Sequence, residues 1–329
     1  MRKIILLIAL FISVVSCNNN TSKNTVKILP DSAGPVNKIA IVVDNELWNN
    51  TVGETIRNIM AQPIDGLPQE EPIFSLNQIP TQVFTGFAKQ GRSILKVEYG
   101  EPNFKIERNT HARPQKIVTV SGKNIEEIKA QITKNADNII QALKTEEIRH
   151  KQKQMSKSLS RTKNVQESLG IKVKFPSYYR VTKTAATPED KFNWIKRDIP
   201  TGYTNVLFYE LPLNAIKKND SLVSQIIKTR DSIGKKFIPG PVDGSFLGTE
   251  MAYAPHVFET IIDNKPTIEV KGLWDVKDQF MSGPFIMYLI EDRVNNRYVV
   301  AEGFAFAPSV SKRNYVFELE SIIKSIRIN

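Results

Sequence analysis

The stretch GPFIMYLIEDRVNNRYVVAEGFAFAP, Gly283 to Pro308, decides how the second half of this chain folds. Two apolar runs flank Asn295 and Asn296, and asparagine tolerates the positive φ of a tight connection, so the stretch predicts a β-hairpin. Side chains alternate across a strand. In the return strand Tyr298, Val300, Phe304 and Phe306 then share an aromatic face, while Val299, Ala301, Gly303 and Ala305 share a small one. The small face lets a helix approach closely, and one follows: Leu319, Ile322, Ile323 and Ile326 recur at helical spacing near the end of the chain. Antiparallel strands followed by a packed helix define an α+β unit.

Working back from the hairpin, IKVKFPSYYRVTK, FNWIKRD, YTNVLFYEL, VFETIID and TIEVKGLWDV carry the aromatic and β-branched residues of further strands. Leu222, Ile226, Ile227 and Ile233 mark a helix over Ser221 to Phe237. This unit spans residues 170–329. The first half, residues 37–145, reads differently. KIAIVVD (Lys38 to Asp44) is a buried strand; TVGETIRNIM is a helix opened by Thr51 and Glu54 at capping-box spacing, with Val52, Ile56, Ile59 and Met60 on one face. RSILKVEYG and QKIVTVSG are strands, and Asn124 opens a long helix striped by Ile125, Ile128, Ile132, Ala136, Ile139 and Leu143. The expected fold class is therefore α/β plus α+β: two mixed domains joined by a long polar helix, residues 146–169, that continues from Asn124.

That joining helix is basic. Arg149, Lys153, Lys157 and Arg161 fall every fourth residue along EEIRHKQKQMSKSLSRTKN. Such a run reads either as a solvated connector or as a docking surface for an acidic envelope protein or anionic lipid.

The N-terminus supplies an address. Met1, Arg2 and Lys3 precede an apolar run from Ile4 to Val15, shorter than a membrane span, and Val14, Val15 and Ser16 lead into Cys17, the only cysteine among 329 residues. This pattern resembles a bacterial lipobox: a signal peptide of residues 1–16, cleavage before Cys17, and a thiol carrying two or three fatty chains, palmitate among them. Two chains hold a protein on a membrane where one does so only marginally. Residues 17–36, rich in Asn, Ser and Thr and closing with Pro and Gly, are then a lipidated flexible tether. Asn18 is not the aspartate of inner-membrane retention, which favours the periplasmic face of the outer membrane. An exported chain does not meet nucleic acid, so the net charge of +11 points to anionic lipid or acidic partners instead.

Chemical motifs are sparse. There is no phosphate-binding glycine loop and no nucleophile elbow, and none of His111, His150 and His256 sits in a metal-ligand spacing that a strand would keep on one face. No cofactor or metal is expected. Glu302 falls among the aromatics of its strand, where a carboxylate is either a perturbed acid or one half of an ion pair with an arginine. Trp48, Trp194 and Trp274 either stack on a flat ligand such as a sugar or fill cores.

GLPQEEPIFSL (Gly66 to Leu76), GRSIL (Gly91 to Leu95), SGPF (Ser282 to Phe285) and APSVSKRNYVFELESIIKS (Ala307 to Ser325) together resemble an uncharacterised envelope lipoprotein family of Bacteroidetes-type bacteria, domain of unknown function 4837. The resemblance implies an envelope address and brings no catalytic residues. The expected role is non-catalytic binding or assembly at the periplasmic face of the outer membrane. The alternative is an envelope hydrolase or carbohydrate-acting enzyme whose site would be marked by a cleft of convergent carboxylates including Glu302 and a tryptophan.

Overall fold

A computed structural model describes residues 28–187, 190–276 and 279–328. The signal segment, Cys17 and the first part of the expected tether lie outside the described residues. The first half is a five-stranded sheet in the order β2-β1-β3-β5-β4, built from β1 (Lys38–Val42), β2 (Ser75–Ile79), β3 (Ser93–Tyr99), β4 (Asn103–Arg108) and β5 (Lys116–Gly122). All its pairings are parallel except β4 with β5. Helices α1 (Asn45–Trp48), α2 (Thr51–Met60), α3 (Ile125–Lys134) and α4 (Ala136–Met155) bury one face, where Ile39 and Ile41 meet Val52, Ile56, Ile128 and Ile139. The alternate residues Ala40 and Val42 face Phe84 of the segment that covers the other side. Asn50, one residue ahead of the expected Thr51, caps α2 by accepting the Val52 N–H at 2.8 Å. Asn124 caps α3 as expected, accepting from the Glu127 N–H at 2.9 Å.

The second half holds an eight-stranded antiparallel sheet, in the order β10-β12-β13-β14-β9-β8-β7 with β11 also on β12. Its strands are β7 (Arg180–Ala186), β8 (Lys191–Ile199), β9 (Gly202–Pro212), β10 (Leu247–Thr249), β11 (His256–Ile262), β12 (Lys265–Val276), β13 (Ser282–Asp292) and β14 (Arg297–Phe306). The hairpin between β13 and β14 turns at Asn296, with φ 52°. Helix α6 (Leu222–Phe237) covers the aromatic face; α5 (Asn164–Leu169) and α7 (Arg313–Ile323) cover the small one, beside the short pair β6 (Ile171–Lys172) and β15 (Arg327–Ile328). Gly303 sets the approach of α7: a Cβ there would stand 2.7 Å from Leu319 Cβ, inside any real contact.

Three expectations are corrected. The helix from Asn124 breaks at Asn135, whose amide and backbone N–H both bond the Gln131 carbonyl (2.8 and 3.2 Å), so a side chain competes for the helical acceptor. It then stops at Met155, because Ser158 and Ser160 exchange backbone bonds with Ser177 and Phe175. Second, α4 is no solvated connector: Glu146 and Glu147 are fully buried, and Glu147 accepts from Arg92 (2.8 and 2.9 Å), Ser93 (2.6 Å) and the Asn37 N–H (2.9 Å). Lys157 and Arg161 fall outside α4 while Arg149 and Lys153 ride on it, bonded to Glu146 and Asp31, so the four cations form no continuous helical band. Third, the tether is shorter than residues 17–36, since the Pro30 carbonyl accepts from Arg113 N–H and Ala33 N–H donates to the Gln90 carbonyl.

Candidate functional site: a cleft between the two halves

Helix α7 is the shared element. Its apolar face packs on β13 and β14, and its other side meets α4 through two ion pairs, Lys144–Glu320 at 2.9 Å and Lys151–Glu318 at 2.6 Å, and through Gln152, which donates to the Ser321 carbonyl at 3.0 Å. Beside this seam a cleft of about 260 Å³ opens between the halves. Ile73, Phe74 and Ile140 of the first half and Phe285, Val316 and Phe317 of the second form its apolar walls.

The loop from Gln62 to Ile73 closes one side. Its ends are pinned to each other, Ile64 N–H to the Glu71 carbonyl at 3.0 Å and Ile73 N–H to the Gln62 carbonyl at 2.9 Å. Its tip reaches across to the other half: Gly66, at φ +78°, sits so close to β12 that a Cβ would be 2.9 Å from Lys271 Cβ and from the Gly272 nitrogen. Glu71 is the latch. Its carboxylate accepts from the N–H groups of Lys312 (2.6 Å) and Arg313 (3.0 Å) and from the Ser311 hydroxyl, at the start of α7, where the helix dipole favours an anion. Burial alone would raise the Glu71 carboxyl; these bonds outweigh it and hold it below its ordinary value.

The polar floor is a lysine-glutamate cluster. Lys144 and Lys324 both reach Glu320 Oε1, at 2.9 and 2.7 Å, and Lys271 reaches Glu269 at 3.0 Å. Burial would raise the Glu320 carboxyl, but Lys144, Lys324 and Lys271 overcome it and hold it far below the carboxylate range. Burial lowers the Lys144 ammonium, and the neighbouring Lys324 and Lys271 lower it further against the pull of Glu320. Tyr288, fully buried beside them, is pushed well above its ordinary value by burial and by Glu320 and Glu269. Toward solvent, His256 stacks on Phe258 at 6.4 Å, Lys271 stands 4.7 Å over the Phe258 ring, and Asp65 lies 4.0 Å from His256.

The residues singled out from the sequence lie elsewhere. Glu302 is 1% exposed and paired with Arg230, whose Nε and Nη2 donate to Oε1 at 3.0 and 2.8 Å. Trp274 is buried, donating to the Ala305 carbonyl at 3.2 Å and edge-on to Phe304. Trp194 donates to Asn205 at 2.8 Å and joins the same core as Glu302 and Trp274, on the face that α6 closes, while Trp48 belongs to the first half under Arg57. None of the four lines the cleft. A second cavity of about 670 Å³ is lined by Asp231, Asp243, Glu250 and Asp275. Burial, with Glu250 and Asp231, raises the Asp275 carboxyl there. Glu302 touches that cavity only through Arg230, which bonds the Gly248 carbonyl and Thr249. The expected constellation of Glu302, a second acid and a tryptophan in one cleft is therefore not assembled. Sequence reasoning passed over Lys144, Lys271, Arg313 and Glu320. One signal was available: Glu318, Glu320 and Ser321 interrupt an otherwise apolar run, VFELESII, every residue of which is buried.

The fold and cleft define a two-part protein, a parallel-sheet α/β unit and an antiparallel α+β unit, clasped around a lidded, cation-rich cavity. Residues 158–325 match the family described as domain of unknown function DUF4837, and since the match covers more than half of the chain, the protein belongs to that family. Residues 32–156 match a second, described as domain of unknown function DUF8532. No curated protein matches the chain.

Proposed function

We propose that this protein is an envelope lipoprotein that binds a small molecule in the cleft between its halves and does no chemistry on it. One observation carries the reading: both halves supply the walls, and a loop latched by Glu71 spans the opening, which is how a ligand would come to hold two units in one arrangement. The cation-rich floor contains pairs already satisfied by one another, which suits recognition better than proton transfer. The signal run and Cys17 support anchoring to the outer membrane, facing the periplasm, and such a binder would act on envelope components within reach of that anchor.

The test is native mass spectrometry of the full chain extracted from its own host membranes. A bound small molecule should travel with the wild type and be absent from Ile140→Trp, which fills the cleft. Recovery of the same mass from both proteins would refute the cleft as the seat.

A further inference from the structure

A parallel sheet ordinarily carries helices on both faces. In the first half α2, α3 and α4 cover one face, whereas the other is closed only by residues 80–92, which make two short 3-10 turns, Thr81–Val83 and Gly86–Gln90. Phe84 packs inward from this cover onto Val42 and Ile94. Val83 and Phe87 project outward instead, 58% and 74% exposed. Beside Phe87 a shallow cavity of about 280 Å³ is walled by Ala33, Pro35, Ile39 and Ile79, with Lys38 at its rim. We infer that this face docks on the surface of an anionic phospholipid bilayer, Val83 and Phe87 entering the headgroup layer and Lys38, Lys89 and Arg113 meeting the lipid charge. The inference goes beyond the anchor proposed at Cys17 and rests on it for proximity to the membrane.

The path of the chain selects the occupant. It enters the body along this cover: the Pro30 carbonyl accepts from Arg113 N–H, Ala33 N–H donates to the Gln90 carbonyl, and Arg92 N–H donates to the Ala33 carbonyl. Ile28, 92% exposed, stands eleven residues after Cys17, and a chain of that length spans at most about 40 Å. A lipid on Cys17 therefore keeps the Phe87 side close to the bilayer. Charge agrees. Neither Asp nor Glu occurs in residues 32–43, 72–97 or 109–124, the segments that build the face and its cover. Lys38, Lys89, Arg113 and Lys153 border it against two acids, Asp31, which meets Lys153 at 3.2 Å, and Asp44, which accepts from Thr81 and Gln82. Apolar side chains ringed by cations suit a membrane interface, where each cation strengthens docking on the order of fivefold at low salt.

The test uses the chain purified from its host membranes and reconstituted in vesicles of phosphatidylcholine and phosphatidylglycerol with brominated acyl chains, which quench only tryptophan that reaches them. The three native tryptophans set the background. Val83→Trp and Phe87→Trp should each add a quenched fraction, and Val294→Trp, at an 88% exposed site in the second half, should add none. The added quenching should fall as salt rises and in pure phosphatidylcholine. Lys38→Gln, Lys89→Gln and Arg113→Gln together, placed in the Phe87→Trp chain, should weaken docking on the order of 100-fold at low salt. If an acylated chain stays in the vesicles with Val83→Trp and Phe87→Trp unquenched, or quenched regardless of salt and of the three cations, docking is refuted and the anchor stands. A dimer in detergent together with absent quenching also refutes it and gives the face to a second copy. If intact mass shows no acyl chains, the anchor fails, and docking is judged by the same quenching.

Discussion

Replacing Glu302 by leucine should cost this protein about 3–5 kcal/mol, because it strands a charge. Arg230 is 2% exposed; two of its N–H groups go to Glu302, its Nη1 goes to Gly248 and Thr249, and its guanidinium lies 4.1 Å over the Phe285 ring. Without the carboxylate, the cation keeps its burial and loses its counter-charge. Removing both partners, Arg230→Met with Glu302→Leu, should cost far less than the two single changes added, since no unpaired charge remains; the residual loss is the donor to Gly248 and Thr249, about 1–2 kcal/mol. Guanidinium denaturation of all four proteins at pH 7 gives the coupling energy, expected at about 2 kcal/mol or more. A double variant that costs the full sum of the singles would refute the reasoning and return Glu302 to candidacy as a functional acid. Its titration gives an independent check. Burial raises the Glu302 carboxyl in spite of Arg230, so the folded value lies above the unfolded 4.5. The stability it contributes is complete below the unfolded value and is lost as pH rises through the folded one. Glu302→Gln should flatten that slope.

Gly303→Val should lower stability by about 1–3 kcal/mol by forcing α7 off β14, read as a fall in denaturation midpoint. Glu320 behaves oppositely to Glu302: its folded value lies below the unfolded 4.5, so its stabilisation is present above that pH and lost as pH falls, and Glu320→Gln should show a shallower acid limb in urea midpoints taken from pH 7 downward. His150, with its ring lowered to about 4 by burial and then by Arg92, should titrate near that value by NMR; a midpoint near 6.5 would contradict the buried placement. Cys17→Ala should abolish incorporation of radiolabelled palmitate and leave the protein unprocessed or released from the outer-membrane fraction; label on the variant would refute the anchor.

Much of the fold could be read from local pattern. The two faces of β14, the caps at Asn124 and the turn at Asn296 are decided by residues within a few positions of each other. What escaped was non-local. Strands β2 (SLNQI) and β4 (NFKIER) lie at the two ends of their sheet, where only one edge is paired, so their polar residues hid the alternation. Glu146 and Glu147 looked like a solvated face because their partners are far along the chain; Arg92 is 55 residues from Glu147. The cleft draws on Ile73, Ile140, Lys271 and Phe317, whose adjacency exists only after both halves have formed and α7 has lodged between them. Glu302 was visible as a charge on an aromatic face; that Arg230 would answer it, from a helix 72 residues earlier, was not.

The seam of α4 against α7 bears on inheritance as much as on packing. The two family matches meet just beyond the end of α4, yet Lys144 and Lys151 lie in the first and their partners Glu320 and Glu318 in the second. A gene cut at that border would yield one product with two uncovered lysines and another whose two carboxylates each lose one cation, Glu320 keeping Lys324 and Glu318 keeping Arg197. Neither piece is well served alone, whereas co-expressed they carry matching halves of one charged joint and should find each other without the covalent link. Recombination that pairs the second unit with an unrelated first unit would lose both ion pairs unless the newcomer supplied cations at the same two positions, two helical turns apart.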